Sequence, residues 1–211
     1  MRKRPTVTRR RAALRWLVAL CLLAAASHVL GWYCMTPKRA LRSMERTFFT
    51  EQTEFLARVE LPYFSQELRL SGGPDVTLLA GYSFSWRSGW QGSNMVILER
   101  QRDWPFTAEW YGRMAVRDHV YTEYSYIFGC VEDPAVTELE IVYTAIRGGH
   151  DQTARLAARD WITGENGRRY FLYAMEPEEE SWERCCSVTG YLADGTAAGT
   201  LQILDGRPYW E

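Results

Sequence analysis

A run of twenty uncharged residues constrains this chain more than any other feature. Residues 16–35 read WLVALCLLAAASHVLGWYCM and carry no charge when His28 is neutral. At a rise of about 1.5 Å per residue, about 20 helical residues cover the roughly 30 Å of a bilayer's hydrocarbon core. The sequence therefore predicts a transmembrane signal anchor at residues 16–35, with membrane lipid as its partner.

The charges on either side of this run indicate its orientation. Residues 1–15 hold seven basic side chains and no acidic one, whereas the rest of the chain holds 18 basic against 26 acidic residues. Positive charge stays on the cytoplasmic side of a membrane. We expect a basic cytoplasmic tail at residues 1–15, a single pass through the cell membrane and a C-terminal domain outside. A basic tail beside an apolar run suits anionic lipid, so no nucleic-acid partner is expected.

A cleaved signal peptide is the alternative for the same region. Leu14–Ala26 has the length of an apolar signal core, and residues 24–26 read AAA, which fits a small-residue cleavage site. Apolar character continues through Val29, Leu30 and Trp32, which favours retention of the segment as an anchor. Cleavage near Ala26 is left open.

Residues 36–66 are predicted to form an amphipathic helical connector. Thr36 is a suitable N-cap, and Pro37 suits the first helical position because its missing N–H costs nothing there. We expect the helix to end at Leu61, since a residue that precedes proline avoids the α region. The helix either packs on its own domain or forms a dimerising stalk, so the oligomeric state is open. Its apolar residues recur at helical spacing: Leu41, Met44, Phe48, Phe55 and Val59.

From about residue 67 the apolar period changes to two, which is typical of strands. In residues 76–86, which read VTLLAGYSFSW, every second residue from Val76 to Trp86 is apolar, which predicts a half-buried strand with Trp86 in the core. Turn signals such as Asn166-Gly167 and Asp194-Gly195 separate several similar short runs. Residues 67–211 are therefore predicted to be an exported domain that is mainly β, an antiparallel β-sandwich or barrel. The further runs are 95–100, 106–116, 120–128, 138–145, 154–159, 169–175, 186–192 and 200–204.

Three short patterns give the chain a resemblance to known proteins. They are GCVEDPAV at residues 129–136, RRYFLYAM at 168–175 and VTGYLADG at 188–195. With these, residues 75–205 resemble a loose group of small, uncharacterised Gram-positive proteins with one N-terminal membrane span and an exported β-rich domain. The resemblance implies that fold and location, and it supplies no catalytic residues.

Three cysteines lie beyond the apolar run: Cys130, Cys185 and Cys186. Their spacing lacks the paired C-x-x-C pattern of zinc sites, so no metal and no other cofactor is predicted. An exported domain permits a disulfide. Cys130 is a candidate to pair with Cys185 or Cys186, and an adjacent 185–186 bond is a second possibility. The alternative is that all three are small buried hydrophobes.

Aromatic residues are abundant, at 14% of the chain with nine Trp. Trp90 and Trp104 fall in turn-like segments, where an exposed indole would stack on the sugar rings of a cell wall. The alternative is that both indoles pack against the core, as aromatic residues often do in small β domains. They are the two candidate ligand-stacking residues.

No pattern in the chain predicts catalysis. His119 follows Asp118 and His150 precedes Asp151, so a Ser/His/Asp triad can be assembled on paper. The G-x-S-x-G elbow of many hydrolases is absent, because residues 81–85 read GYSFS. We therefore expect no enzyme, but a membrane-anchored extracytoplasmic binding or interaction protein, with an envelope protein as partner. The alternatives are a cell-wall glycan-binding module and, third, an exported hydrolase.

Overall fold

A computed structural model describes residues 9–29, 33–61, 66–117, 120–144, 151–175, 178–179, 185–204 and 207–210. Within these ranges the protein is mainly β, with fourteen strands, two α-helices and one short 3-10 helix. Every pairing between the named strands is antiparallel. The predicted mainly β, antiparallel class is confirmed.

Two α-helices precede the strands. Helix α1 covers Arg9–Val29, and helix α2 covers Pro37–Thr47. Thr36 caps α2 as predicted, because its hydroxyl accepts a hydrogen bond from the Arg39 N–H at 3.3 Å. In the described part of the chain, neither helix combines the length and the apolar character needed to cross a bilayer.

The prediction of one helix from residue 36 to Leu61 is wrong in its second half. Helix α2 ends at Thr47, and Phe49 has a φ of 56°, a left-handed conformation that turns the chain. Residues Glu54–Leu61 then form the first strand. The spacing of Phe55 and Val59 fits a helical face, but the partner strand in the sheet decides the conformation, as tertiary contacts often do.

The fourteen strands form three sheets. The strands are β1 (Glu54–Leu61), β2 (Gln66–Gly72), β3 (Val76–Ser85), β4 (Gly89–Glu99), β5 (Phe106–Arg117), β6 (Val120–Val131), β7 (Val136–Thr144), β8 (Asp151–Ala157), β9 (Ile162–Thr163), β10 (Arg169–Ala174), β11 (Glu178–Glu179), β12 (Cys185–Leu192), β13 (Ala197–Leu204) and β14 (Arg207–Trp210). The first sheet has the order β1-β2-β3-β4. The second has β11, β10 and β5 around β6, with β9 beside β10, and the third has the order β14-β13-β12-β7-β8.

The three sheets stack, and the second lies in the middle. Strand β6 shows this arrangement by its alternation: Tyr126 and Phe128 join a buried cluster with the first sheet, whereas Ile127 and Val131 join a cluster with the third. Helix α2 covers the outer face of the first sheet, where Leu41 and its neighbours form a third cluster. A β-sandwich or barrel was predicted, and the structure has three stacked sheets because the middle sheet is apolar on both faces.

The turns that join the strands follow the predicted chemistry. Gly167 and Gly195 have φ values of 75° and 82°. Only glycine adopts such values without strain. Asp133 accepts a hydrogen bond from the Ala135 N–H at 2.8 Å.

The prediction that Trp86 lies in the core is wrong. Trp86 begins the β3–β4 turn, and 88% of its surface is exposed.

Candidate binding groove between helix α2 and strand β4

A groove of about 500 Å³ lies along the junction of helix α2 and strand β4. Its apolar floor and its polar walls come from both elements. The size and the mixed lining are typical of sites that bind a small molecule or a short peptide. The lining residues are Cys34, Ala40, Ser43, Met44, Thr47, Phe48, Ser88, Trp90, Gln91, Gly92, Ser93, Asn94 and Met95.

Close packing and a buried carboxylate hold α2 in place on one side of the groove. A Cβ atom added to Gly92 would overlap the sulfur of Met44, so the helix lies directly on the backbone of β4. Glu45 is 2% exposed and accepts hydrogen bonds from the N–H and the hydroxyl of Thr53, at 2.7 and 2.8 Å. Arg42 donates to the same carboxylate at 2.6 and 2.9 Å. The hydrogen bonds to Thr53 tie α2 to the segment that enters β1.

Strand β4 forms the other wall, and it is an edge strand of the first sheet. Its described partner within that sheet is β3 alone. On the opposite edge, the Trp90 N–H donates to the Cys34 carbonyl at 2.8 Å, in a parallel bridge between Cys34 and Gly89. Because backbone groups alternate along a strand, those of Gly92 turn to the same edge as those of Trp90. The first residues of β4 thus already pair with the backbone at Cys34 along this edge.

Trp90 lies on the face of β4 and is half-buried. Its ring is 5.7 Å from the ring of Phe84 in a tilted arrangement. The Arg69 guanidinium carbon is 5.7 Å from the Trp90 centroid and 4.5 Å from that of Phe55, and Arg69 forms an ion pair with Glu67. The indole is therefore already engaged by an aromatic ring and by a cation.

Trp104, the other candidate for stacking on a ligand, lies elsewhere. It is half-buried in the connection between β4 and β5 and packs against the cluster between the second and third sheets. Trp90 packs against the cluster between α2 and the first sheet. The structure therefore does not bring Trp90 and Trp104 together on one surface.

The cysteines are also separated by the stacking of the sheets. Cys130 is a buried free thiol in the cluster between the first and second sheets, and burial raises its pKa to about 12. Cys185 and Cys186 begin β12 in the third sheet, and the positions of their side chains are outside what the structure describes. The second sheet lies between the Cys130 thiol and β12.

A charged cluster beside Cys130 joins the first sheet to the second. Glu132 accepts a hydrogen bond from Arg100 at 3.0 Å and another from Arg168. Arg168 also donates to the carbonyls of Gly73 and Pro74, at 2.6 and 3.0 Å. Since Arg168 directs these donors to the β2–β3 turn of the first sheet, the cluster holds that turn against the second sheet.

The remaining chemical candidates form no site within the residues that the structure describes. His119 and His150 lie outside the described residues. Within the described ranges, no group of three or more His, Cys, Asp or Glu side chains is arranged to hold a metal ion. Sequence reasoning missed the groove because it joins residues that are far apart in the chain. Only its helical half was visible, in the spacing of Leu41 and Met44.

Comparison with protein-family models, with curated proteins and with solved structures finds no match for this chain.

Proposed function

We propose that this chain is a membrane-anchored extracytoplasmic binding protein without catalytic activity. Its anchor lies within the apolar segment at residues 16–35, and its basic tail is cytoplasmic. Its β domain lies outside and binds an extended segment of another envelope protein in the groove between α2 and β4. The observation that carries this proposal is the exposure of the apolar side chains of α1.

Helix α1 exposes apolar side chains on all its sides. Their exposed fractions lie between 49% and 72%. Contiguous exposed apolar surface of this extent is unusual in water and is typical of a surface that a membrane or a partner covers. The part of α1 from Trp16 to Val29 is about 21 Å long, and Cys34, which is buried in the cluster between α2 and the first sheet, lies outside it. The exposed side chains are Leu14, Trp16, Leu17, Val18, Leu20, Leu22, Leu23 and Val29.

The groove supports an extended peptide as the occupant outside the membrane. The edge of β4 faces it, and the bond from Trp90 to Cys34 shows that this edge pairs with extended backbone. Addition of a strand to a sheet edge is a common mode of peptide recognition, in which side-chain pockets supply specificity. Met44, Trp90 and Met95 give the groove an apolar floor for such side chains.

Site-specific photocrosslinking in intact cells tests this function. A photoreactive residue at Gln91, which is exposed and lines the groove, is expected to give a discrete adduct with an envelope protein. A second change, Ser43→Trp, fills the groove from the helix side and is expected to abolish that adduct.

The matched control lies on the third sheet. Thr153 is exposed on β8, far from the groove in the stack of sheets. A photoreactive residue at Thr153 is expected to give no such adduct, and Thr153→Trp is expected to leave the Gln91 adduct intact. An equal adduct from both positions, or an adduct at Gln91 that survives Ser43→Trp, would contradict the proposal.

Binding of cell-wall glycan is the second candidate. It is favoured by the position of Trp90, which lines both the groove and a neighbouring depression of about 320 Å³. Titration of the full chain with soluble wall fragments tests it, because a sugar stacked on Trp90 changes the indole emission. Unchanged tryptophan fluorescence would exclude this candidate. An exported hydrolase that uses His119 or His150 stays a third prediction.

A further inference from the structure

The lining of the groove between α2 and β4 carries no charge. Among the residues that the structure describes, neither an acidic side chain nor a Lys, Arg or His lines it. Met44 of the helix and Met95 of the strand contribute flexible thioether side chains, which adapt to apolar groups of different shapes. A charged side chain seated against them would lose water without gaining an opposite charge. The groove therefore accepts an uncharged, apolar side chain.

Basic residues border the groove on its helix side. Helix α2 carries four basic residues and one acidic residue, Glu45. Glu45 is buried and forms an ion pair with Arg42, so its charge does not face an occupant of the groove. Residues three or four apart are neighbours on a helix surface, so Arg39 and Arg46 flank Ser43, which lines the groove. Arg46 is exposed, so its charge lies in water beside the groove.

A further arginine lies at one end of the groove. Ser88 lines that end, and the exposed Arg87 precedes it in the β3–β4 turn. The acidic residue of β4, Glu99, lies four residues beyond Met95, which corresponds to about 13 Å along the strand. This basic border contrasts with the chain beyond residue 15, which holds 26 acidic against 18 basic residues. We call three residues the basic rim: Arg39, Arg46 and Arg87.

We infer that the groove selects an extended acidic segment. The segment's uncharged apolar residue lies over Met44 and Met95, and its Asp or Glu residues face the basic rim. This inference rests on the proposed function, because it names the chemistry of the segment that binds there. Side chains two residues apart lie on the same face of an extended chain, so we expect an acidic residue two positions before and after the apolar one. Opposite charges at the border of an interface speed association and disfavour wrong partners.

Binding of short labelled peptides to the full chain in micelles of a non-ionic detergent tests this selectivity. The probe is a dye-labelled SDTLTDS peptide, and two matched probes carry Asn or Lys in place of both Asp residues. Fluorescence anisotropy at low salt measures the three dissociation constants. The Asp peptide is expected to bind about two- to fivefold more tightly than the Asn peptide, as exposed ion pairs do, and the Lys peptide is expected to bind most weakly. Equal binding of the Asp and Lys peptides would overturn the inference.

A charge reversal on the helix identifies the rim as the source of the preference. Arg46→Glu is expected to reverse the order, so that the Lys peptide binds more tightly than the Asp peptide. The matched control is Arg159→Glu, which makes the same charge change at an exposed residue of the 3-10 helix. It is expected to keep the wild-type order. Reversal of the order by both variants would overturn the inference, because the preference would then follow the net charge of the whole chain.

The same measurements separate this inference from the proposed function. Failure of all three peptides to bind would contradict an extended peptide as the occupant of the groove, and with it the proposed function. An Asn peptide that binds as tightly as the Asp peptide would contradict only the acidic selectivity. The measurement is repeated with phosphatidylglycerol added to the micelles, and the preference for the Asp peptide is expected to persist. Loss of the preference there would show that lipid headgroups occupy the basic rim, and would overturn the inference.

Discussion

The buried carboxylate of Glu45 accepts a hydrogen bond from the backbone N–H of Thr53 at 2.7 Å, and this contact joins helix α2 to the segment that enters β1. We predict that Glu45→Ala lowers the free energy of unfolding by about 2–3 kcal/mol, because the N–H and hydroxyl of Thr53 lose a charged acceptor in a buried position. Denaturant unfolding of the full chain in detergent measures the change. Glu60→Ala, at an exposed position of β1, is the control and is expected to change little. Equal losses in the two variants would contradict the assigned role of Glu45.

The contact between residue 34 and β4 gives a second prediction, because it relies on a glycine. Gly89 has a φ of 71°, and a Cβ atom there would overlap the Cys34 carbonyl. Gly195 has a similar φ of 82° but nothing within 4 Å of such a Cβ. Gly195→Ala is expected to cost about 1–2 kcal/mol from backbone strain alone, and Gly89→Ala is expected to cost more.

Hydrogen exchange of the Trp90 amide distinguishes the two effects. Gly89→Ala is expected to speed this exchange, since the bond to the Cys34 carbonyl breaks, and Gly195→Ala is expected to leave it unchanged. Unchanged protection of the Trp90 amide in Gly89→Ala would show that the bridge to residue 34 does not depend on glycine.

Glu109 gives a prediction about pH. Burial raises the pKa of its carboxyl, and a hydrogen bond from the Trp110 N–H opposes the rise. The folded chain thus binds this proton more tightly than the unfolded chain does, so ionisation of Glu109 costs stability as the pH rises above about 4. Glu109→Gln keeps an acceptor for Trp110 and cannot ionise. We expect it to raise the Tm relative to the wild type at pH 8, and to give a smaller or opposite difference at pH 4. A difference in Tm that does not vary with pH would contradict the burial of the charge.

Much of the β domain was predictable from local pattern. The alternation in residues 76–85 predicts β3, and the turn at Asp194-Gly195 joins β12 to β13 as expected. The error at Trp86 has a simple cause. The alternation continues one residue past the strand, and hydrogen bonds of the Ser85 hydroxyl hold the turn that precedes Gly89.

Other features depend on contacts that a local pattern does not contain. The sequence YSYIFGCV at residues 124–131 is nearly continuous in apolar residues, which is typical of a strand buried on both faces. This run is a signal for a strand in a middle sheet, and the prediction of a β-sandwich or barrel did not use it. Only the helical side of the groove between α2 and β4 had a local signal, because the fit of Met44 on Gly92 joins two distant parts of the chain.

Cys130 gives a prediction about reactivity. Burial raises the pKa of its thiol to about 12, so almost no thiolate is present at pH 8. Thiolate is the form that reacts. We expect iodoacetamide to leave Cys130 unmodified in the folded chain at pH 8 and to modify it fully in urea under reducing conditions. Mass spectrometry of the peptide that contains residue 130 measures both states. Rapid modification in the folded chain, or a disulfide to Cys185 or Cys186 before reduction, would contradict the buried free thiol.

The anchored, outward-facing topology is tested most directly by protease treatment of intact cells. The full chain is expressed in a Gram-positive host, the cells are shaved with protease, and each fraction is blotted for size. A membrane-bound band near 24.5 kDa that shaving destroys is the predicted result. A smaller species in the medium would indicate cleavage near Ala26 and a diffusible domain in place of an anchored one. A full-length band that resists the protease in intact cells would contradict the topology, and with it the proposed binding function outside the membrane.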